Sequence, residues 1–212
     1  MEASRVRQLP ERSEPSRIGP RLREERHRKG MTVREIAGRI GVSPSLISQI
    51  ERDKVTPSVS TLWALVTELG LNMGDVFPES DPPVRNRPEA PQAGEGPVTE
   101  PGARATINLE SGVRWERLTS RRDPVVEFLN VVYPPGASSC DETSLMRHGG
   151  KEYGYVTSGR LGVRVGFDEY ELGPGMAISF DSSAPHRLWT IGEEPAHAIW
   201  VVVGREGEGS AH

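Results

Sequence analysis

The chain has 212 residues, of which 35% are hydrophobic and 26% charged, and its formal net charge at pH 7 is −4. No stretch reaches the roughly 20 apolar residues of a membrane span, and the N-terminus lacks the apolar core of a secretory signal, so we expect a cytoplasmic protein with no membrane partner. Cys140 is the only cysteine, which excludes an intramolecular disulfide and a cysteine-based zinc cluster.

Charge and proline content divide the chain. Residues 1–77 contain 13 Lys and Arg against 10 Asp and Glu, whereas residues 78–212 contain 13 against 20. The asymmetry favours a DNA-facing first half and a second half that does not contact phosphate. The predicted organisation is a disordered basic arm, a helical domain, a proline-rich linker, a β-rich domain and a disordered tail, over residues 1–17, 18–77, 78–104, 105–205 and 206–212.

The helical half contains two short predicted helices joined by a tight turn. Thr32 and Glu35 form a capping box that starts the first helix, and Gly41 can adopt the positive φ that ends it. Ser43 caps the second helix and Pro44 takes its first position, where a missing N–H costs nothing. A basic helix before this pair and an apolar-striped helix after it, over residues 18–29 and 58–69, complete an all-α bundle of four or five helices.

The segment from Ile18 to Phe77 resembles the phage-repressor, or xenobiotic-response-element, family of helix-turn-helix domains, down to its Ile50-Glu51-Arg52 and Thr56-Pro57-Ser58 sequences. The resemblance implies sequence-specific binding to a double-stranded DNA operator, with the second helix of the pair reading the major groove. It also implies a pair between Arg26 and Glu51. The implied base contacts are Pro44, Ser45 and Gln49, and the implied phosphate contacts are Thr32, Arg34, Ser48, Lys54 and Ser58. Arg52, which shares a face of the second helix with Ser45 and Gln49, and the cap residue Ser43 complete the predicted DNA-binding set.

Two residues depart from the pattern of that family. Val33 stands where many relatives have a glutamine that contacts the DNA backbone, and Pro44 cannot donate a hydrogen bond to a base. We therefore expect few direct base contacts.

The second half has a β pattern, in which short apolar or alternating runs are separated by Gly and Pro. Seven or more strands in about 100 residues predict a sandwich or barrel. The predicted strands are Val113 to Leu118, Val125 to Tyr133, Glu152 to Thr157, Leu161 to Phe167, Met176 to Phe180, His186 to Thr190 and Ala196 to Val203.

Two segments of this half, His148 to Gly159 and Gly173 to Arg187, resemble the two motifs of the cupin family, a double-stranded β-helix or jelly-roll barrel. The resemblance covers roughly residues 105 to 203. The predicted fold class is therefore α + β in two domains, with an all-α helix-turn-helix bundle followed by an all-β cupin.

A candidate site lies within these motifs. Strand alternation places Glu152 on an inner face, the glycines after His148 let that residue turn toward the same interior, and His186 starts a strand that can lie opposite. Two imidazoles and a carboxylate form a facial set for one divalent transition metal, Fe, Mn, Ni or Zn. In metal-binding cupins the three residues match ligand positions, and the fourth, usually histidine, is Met146 here. The predicted effector pocket comprises these four residues.

Two interpretations of this set remain open from the sequence. The three residues bind a metal, or a hydrogen-bonded His–Glu pair lines a pocket for an organic ligand. Trp115, Trp189 and Trp200 are interpreted as barrel packing, and Arg187 should point outward because it lies one step along the strand from His186.

Two functions follow from the domain order. The first is a regulator whose cupin domain binds a small-molecule effector and thereby changes operator affinity, with homodimerisation through the cupin domain. The second is a mononuclear non-heme iron enzyme, because the chain also resembles hydroxypropylphosphonate epoxidase. The Ser-Pro cap and the Arg26–Glu51 pair favour the regulator, so we expect a protein that is not an enzyme.

Overall fold

The computed structural model describes residues 18–78 and 97–204. They form a helical domain followed by an antiparallel β domain, which confirms the predicted α + β class. The predicted arm, most of the predicted linker and the predicted tail lie outside the described residues. Within the described ranges, no helix is both long and apolar enough to cross a bilayer.

The helical domain has four α-helices and a short 3-10 helix, Met73–Asp75. The Thr32–Glu35 capping box is present, Gly41 has a φ of 74°, and the Ser43 hydroxyl accepts from the Leu46 N–H. The predicted starts and stops of the central helix pair are therefore confirmed. The helices are α1 Gly19–Arg28, α2 Val33–Ile40, α3 Pro44–Ile50 and α4 Val59–Glu68.

A buried ion pair ties α1 to the end of α3. Arg26 Nε and Glu51 Oε1 are 2.6 Å apart, and Arg26 donates a second bond of 2.8 Å to Glu51 Oε2. A third bond joins Arg26 to the Met31 carbonyl oxygen at 2.8 Å. This bidentate geometry is the one in which a buried arginine is best satisfied. The pair predicted from the resemblance is therefore confirmed.

The β domain contains two antiparallel sheets. One has the order β1-β2-β3-β9-β4-β7 and the other the order β6-β5-β8. The strands are β1 Thr106–Asn108, β2 Arg114–Arg117, β3 Val126–Tyr133, β4 Lys151–Ser158, β5 Leu161–Val165, β6 Asp168–Leu172, β7 Ala177–Asp181, β8 His186–Thr190 and β9 Ala196–Val203.

The sequence prediction missed β1 and β6. The first has only three residues, and the second is an edge strand whose first four residues are exposed. An exposed edge strand has no buried face, so its sequence lacks apolar alternation. The predicted strand that ran to Phe167 instead ends at Val165, because residues 166 and 167 form the turn into β6.

The helical domain packs directly against the β domain. The Ser60 N–H donates to the Ser139 carbonyl oxygen at 3.1 Å, and the buried Met73 N–H donates to Glu127 Oε1 at 2.8 Å. Arg122 and Asp75 form an ion pair at 2.5 Å. These contacts hold α4 and the 3-10 helix against the β domain, an arrangement that the sequence analysis did not predict.

Candidate functional sites

Three buried side chains converge inside the barrel. His148 Nε2 lies 2.9 Å and His186 Nε2 3.2 Å from the same atom, Glu152 Oε1. One ligand atom from each residue lies within 4.8 Å of the other two. The structure thus brings the three predicted ligands together, and the name "triad" is used below for His148, Glu152 and His186.

Backbone pairing between the two cupin motifs explains this convergence. Met146 and His186 exchange two backbone hydrogen bonds of 2.9 and 2.8 Å, and the His148 N–H donates to the Ser182 carbonyl oxygen at 3.0 Å. Gly150 has a φ of 102°, which lets the chain turn from His148 into β4. Glu152 then points inward through the alternation of β4, as predicted.

The outer nitrogen of each imidazole faces a backbone carbonyl. His148 Nδ1 lies 3.1 Å from the Gly149 oxygen, and His186 Nδ1 lies 2.9 Å from the Ala184 oxygen. A carbonyl oxygen only accepts, so Nδ1 of a neutral imidazole carries the proton and Nε2 presents a lone pair. Glu152 Oε1 and His186 Nε2 indeed lack a hydrogen-bond partner of acceptable geometry. The triad therefore concentrates acceptor atoms around a position that suits a cation.

Burial and mutual contacts set the ionisation of this site. Burial by itself favours the protonated form of Glu152. A hydrogen bond from His148, the positive charge of the His186 and His148 rings when they are protonated, and the Trp200 N–H outweigh burial, so the pKa of Glu152 is lowered. Burial lowers the pKa of His186, with Glu152 opposing part of that change. A carboxylate facing a neutral His186 is the form in which both can act as ligands.

Trp200 holds Glu152 in place. Its Nε1–H donates to Glu152 Oε2 at 2.6 Å, which leaves Oε1 for the two histidines. The indole lies over Gly154, where a Cβ atom would come within 2.1 Å of the ring. Trp200 thus positions a triad member as well as packing the barrel, so the interpretation as packing alone was incomplete. Its position in the sequence, three residues before the end of β9, gave no signal of this hydrogen bond.

A small cavity lies in front of the triad, with a volume of about 20 Å³. This volume has room for about one water molecule. Met146, the predicted fourth member of the pocket, lines it together with His148 and Glu152, whereas His186 does not. The remaining lining is largely apolar and comprises Val59, Trp63, Trp115, Leu129, Val131, Tyr133, Leu188, Trp200 and Val202.

Two of the lining residues belong to the helical domain. The Trp63 indole of α4 stacks on the His148 ring with centroids 4.1 Å apart and planes 2° from parallel, and Val59 lies one turn earlier. Trp63 also meets Trp115 edge to face at 6.1 Å. The sequence analysis did not identify Trp63, because its partners follow it by 52 and 85 residues and no helical pattern signals them.

The predicted DNA contacts lie around α2 and α3. Ser45 is exposed, and its hydroxyl accepts from Gln49 at 3.2 Å across one helical turn. An open concavity beside α3 is lined by Thr32, Ser48 and Arg52. Arg23 and His27 of α1 line it too and were not predicted. Arg34, Pro44 and Lys54 are exposed, whereas the hydroxyls of Thr32, Ser43 and Ser58 cap helices α2, α3 and α4.

Two other residues lie outside the triad. Arg187 donates to the Cys140 carbonyl oxygen at 3.0 Å and lies over the Trp189 ring, so it points away from the triad as predicted. Cys140 is buried, and burial raises the pKa of its thiol. This environment suits a structural filler and disfavours a reactive thiolate.

Comparison with known proteins supports both domains. The helix-turn-helix family profile matches residues 22–76 and the cupin domain profile matches residues 129–202. The HTH-type transcriptional regulator PuuR of Escherichia coli (strain K12) is 28% identical over 172 residues, covering 79% of this chain and 84% of PuuR. SutR, another HTH-type transcriptional regulator of that strain, is 25% identical over 178 residues, covering 83% and 88%.

A crystal structure of an HTH_3 family transcriptional regulator from Vibrio cholerae has the same fold. Its TM-score is 0.61 at 22% identity, and the alignment covers 90% of this chain and 97% of the other. Both domains thus occur in one order along nearly the whole chain. The chain thus combines a helix-turn-helix domain with a C-terminal cupin domain and is homologous to HTH-type transcriptional regulators.

Proposed function

We propose that the protein binds its operator as a homodimer and that a small molecule bound in the cupin pocket changes operator affinity. The observation that carries this proposal is the shared boundary between the two domains, where Trp63 of the DNA-binding half lies on His148 of the cupin pocket. A ligand that occupies this boundary has unequal affinities for different domain arrangements, and such a difference is what ligand control requires. As a DNA-binding regulator, it would act in the cytoplasm.

The triad is proposed to hold a divalent transition metal. Two ligand atoms at right angles, each about 2.1 Å from a metal, are about 3 Å apart. The Oε1-to-Nε2 distances of 2.9 and 3.2 Å fit that separation. The bound metal would supply open coordination positions for donor atoms of the effector. His148 and His186 would bind through Nε2, each with its Nδ1–H fixed by a backbone carbonyl.

Metal content tests this part of the proposal. Untagged full-length protein is purified without chelators beside Glu152→Gln, which keeps the shape of the side chain and removes its charge. Glu169→Gln, which alters an exposed carboxylate of β6, is the matched control. We expect about one metal ion per chain in the wild type and the control and none in Glu152→Gln. Absence of metal from all three proteins would contradict a metal site and favour the organic-ligand pocket.

Operator binding is proposed to use α3. Ser45 and Gln49 are polar, lie on one face of α3 and can reach base edges. The test is selection of bound fragments from genomic DNA, followed by affinity measurements with Ser45→Ala and Gln49→Ala. We expect each substitution to weaken operator binding by roughly 1–3 kcal/mol without unfolding the domain. Unchanged affinity in both variants would contradict the assignment of α3.

The outer face of the six-stranded sheet is the proposed dimer surface. Tyr153 and Tyr155 of β4 are 45% and 48% exposed, and Phe128 of β3 is 38% exposed. Val201 and Ile199 of β9 lie between them in register, so the apolar side chains are contiguous. A flat apolar face of this kind matches a second copy of itself around a twofold axis.

The iron-enzyme alternative rests on the triad, since a buried set of two histidines and one carboxylate is also an iron-oxygenase ligand set. The test is oxygen consumption by Fe(II)-loaded protein in the presence of candidate organic acids, with Glu152→Gln as control. Triad-dependent turnover would support an enzyme. Its absence, together with operator binding, supports the regulator.

A further inference from the structure

Trp63 closes the cupin pocket from the side of the DNA-binding domain. Its side chain is 7% exposed, and its ring lies flat on the imidazole of a triad member. Val59 lines the same cavity. The pocket wall is thus built from both domains, so separation of α4 from the barrel would remove one side of the pocket.

The size of the closed cavity limits what it can hold. About 20 Å³ accommodates a water molecule or a single metal ion, whereas pockets for organic ligands have volumes of roughly 300–1,000 Å³. Apart from Val59, the other walls are barrel side chains held in a close-packed core, such as Trp200 over Gly154. Trp63 belongs to the helical domain, so it can move away from the pocket together with that domain.

We infer that Trp63 is a lid: a metal ion fits beneath it, but an organic effector enters only when Trp63 leaves His148 and α4 separates from the barrel. This inference rests on the proposed effector function of the pocket. The arrangement in which α4 contacts the barrel is then the effector-free state. An organic effector in the pocket and this contact cannot be present together.

A movement of α4 that carries Trp63 away from the barrel also moves α3, the helix proposed to bind the operator. α4 packs against α2, and α2 packs against α3, with Leu62, Ile36 and Ile47 fully buried. α4 meets the barrel through a smaller set of contacts, which includes the Ser60–Ser139 hydrogen bond and the Trp63–His148 stack. A separation at this boundary therefore shifts α3 relative to the cupin domain without breaking the helical core.

Pocket access is tested with imidazole as the probe. Untagged protein is loaded with Co²⁺, and binding of imidazole to the metal is followed by visible absorption. Imidazole is larger than one water molecule, so in the wild type it binds only if the Trp63–His148 stack is broken. Trp63→Ala removes that cost, and we therefore expect it to bind imidazole about tenfold more tightly than the wild type, which is the scale of one aromatic stack with its buried area. Trp63→Phe, which keeps an aromatic ring on His148, should resemble the wild type. Equal imidazole affinities in wild type and Trp63→Ala would overturn the lid.

Domain separation is tested by a distance between spin labels. Gly38→Cys lies on an exposed face of α2, and Phe167→Cys lies in an exposed turn of the β domain. The buried Cys140 thiol should stay unlabelled. Labelled chains are mixed with an excess of unlabelled chains, so that each measured distance lies within one chain.

We expect a narrow distance distribution in wild type with or without Co²⁺. Trp63→Ala, and wild type with Co²⁺ and saturating imidazole, should give a broader and longer distribution. A distribution that neither change alters would overturn the lid. If the protein takes up no Co²⁺, the metal proposal fails, while the distance in Trp63→Ala still decides whether Trp63 holds the domains together.

Discussion

The Trp63 indole lies parallel to the His148 imidazole, with ring centroids 4.1 Å apart. One ring comes from α4 of the DNA-binding domain and the other from the triad of the cupin domain. The two domains of the regulator are therefore joined by a side-chain contact as well as by the polypeptide chain. The predictions below test the parts of the structure on which that connection depends.

The Arg26–Glu51 pair should be essential to the helical domain. Arg26→Ala leaves the carboxylate of Glu51 buried without its partner, so we expect a loss of about 3–5 kcal/mol in the free energy of unfolding. Arg39→Ala, which breaks an exposed pair with Glu68, should cost about 1 kcal/mol or less. Chemical denaturation followed by circular dichroism measures both. Equal effects of the two substitutions would contradict the special role of the buried pair.

Gly154 should be required for the position of Trp200. In Gly154→Ala the new methyl group meets the indole within 2.1 Å, so Trp200 must move and its bond to Glu152 weakens. We expect a loss of about 1–3 kcal/mol in stability, together with reduced metal content. Gly149→Ala has open space around its Cβ and should change stability by about 0.5 kcal/mol or less. Thermal unfolding and metal analysis of the two variants check this.

Arg34 should contribute to DNA binding without regard to sequence. It is exposed near the start of α2, where we propose that it contacts a phosphate and neutralises one charge of the DNA backbone. Arg34→Ala should weaken binding to operator DNA and to unrelated DNA by the same factor. It should also reduce the slope of log affinity against log salt concentration by about one. Arg160→Ala on the cupin domain is the control and should change neither quantity. An effect confined to the operator would mean that Arg34 reads bases.

The outer sheet face should control dimerisation. Tyr153→Glu places a carboxylate in the centre of the apolar face in both copies, so we expect monomers in sedimentation experiments. Phe167→Glu alters a side chain that is 98% exposed in the β5–β6 turn and should leave the dimer intact. A dimer that persists in Tyr153→Glu would place the interface elsewhere.

Local sequence patterns predicted much of this structure. The Thr32 capping box, the Gly41 turn and the Ser43–Pro44 start concern interactions within a few residues, which a sequence displays directly. The triad was predictable because His148 and Glu152 are close in the chain and belong to a motif that the sequence carries. Strand β6 was not, because its exposed residues lack a periodic apolar pattern.

Long-range contacts between domains were not predictable in the same way. Trp63 is followed by 84 residues before His148, and a tryptophan beside the apolar stripe of α4 reads as ordinary helix packing. The Trp200 hydrogen bond to Glu152 also depends on how β9 and β4 pair in three dimensions. Such contacts follow from the register of strands and the docking of domains, which single-sequence patterns do not encode.

The central claim is that occupancy of the cupin pocket determines the position of the two DNA-binding domains of the dimer, and therefore the affinity for the operator. The most direct measurement is the operator affinity of wild type, Trp63→Ala and Trp63→Phe at one fixed salt concentration. We predict that Trp63→Ala changes the dissociation constant by about fivefold or more, the lower range of coupling between two sites, while Trp63→Phe stays near wild type. Identical affinities in three folded proteins would contradict the claim.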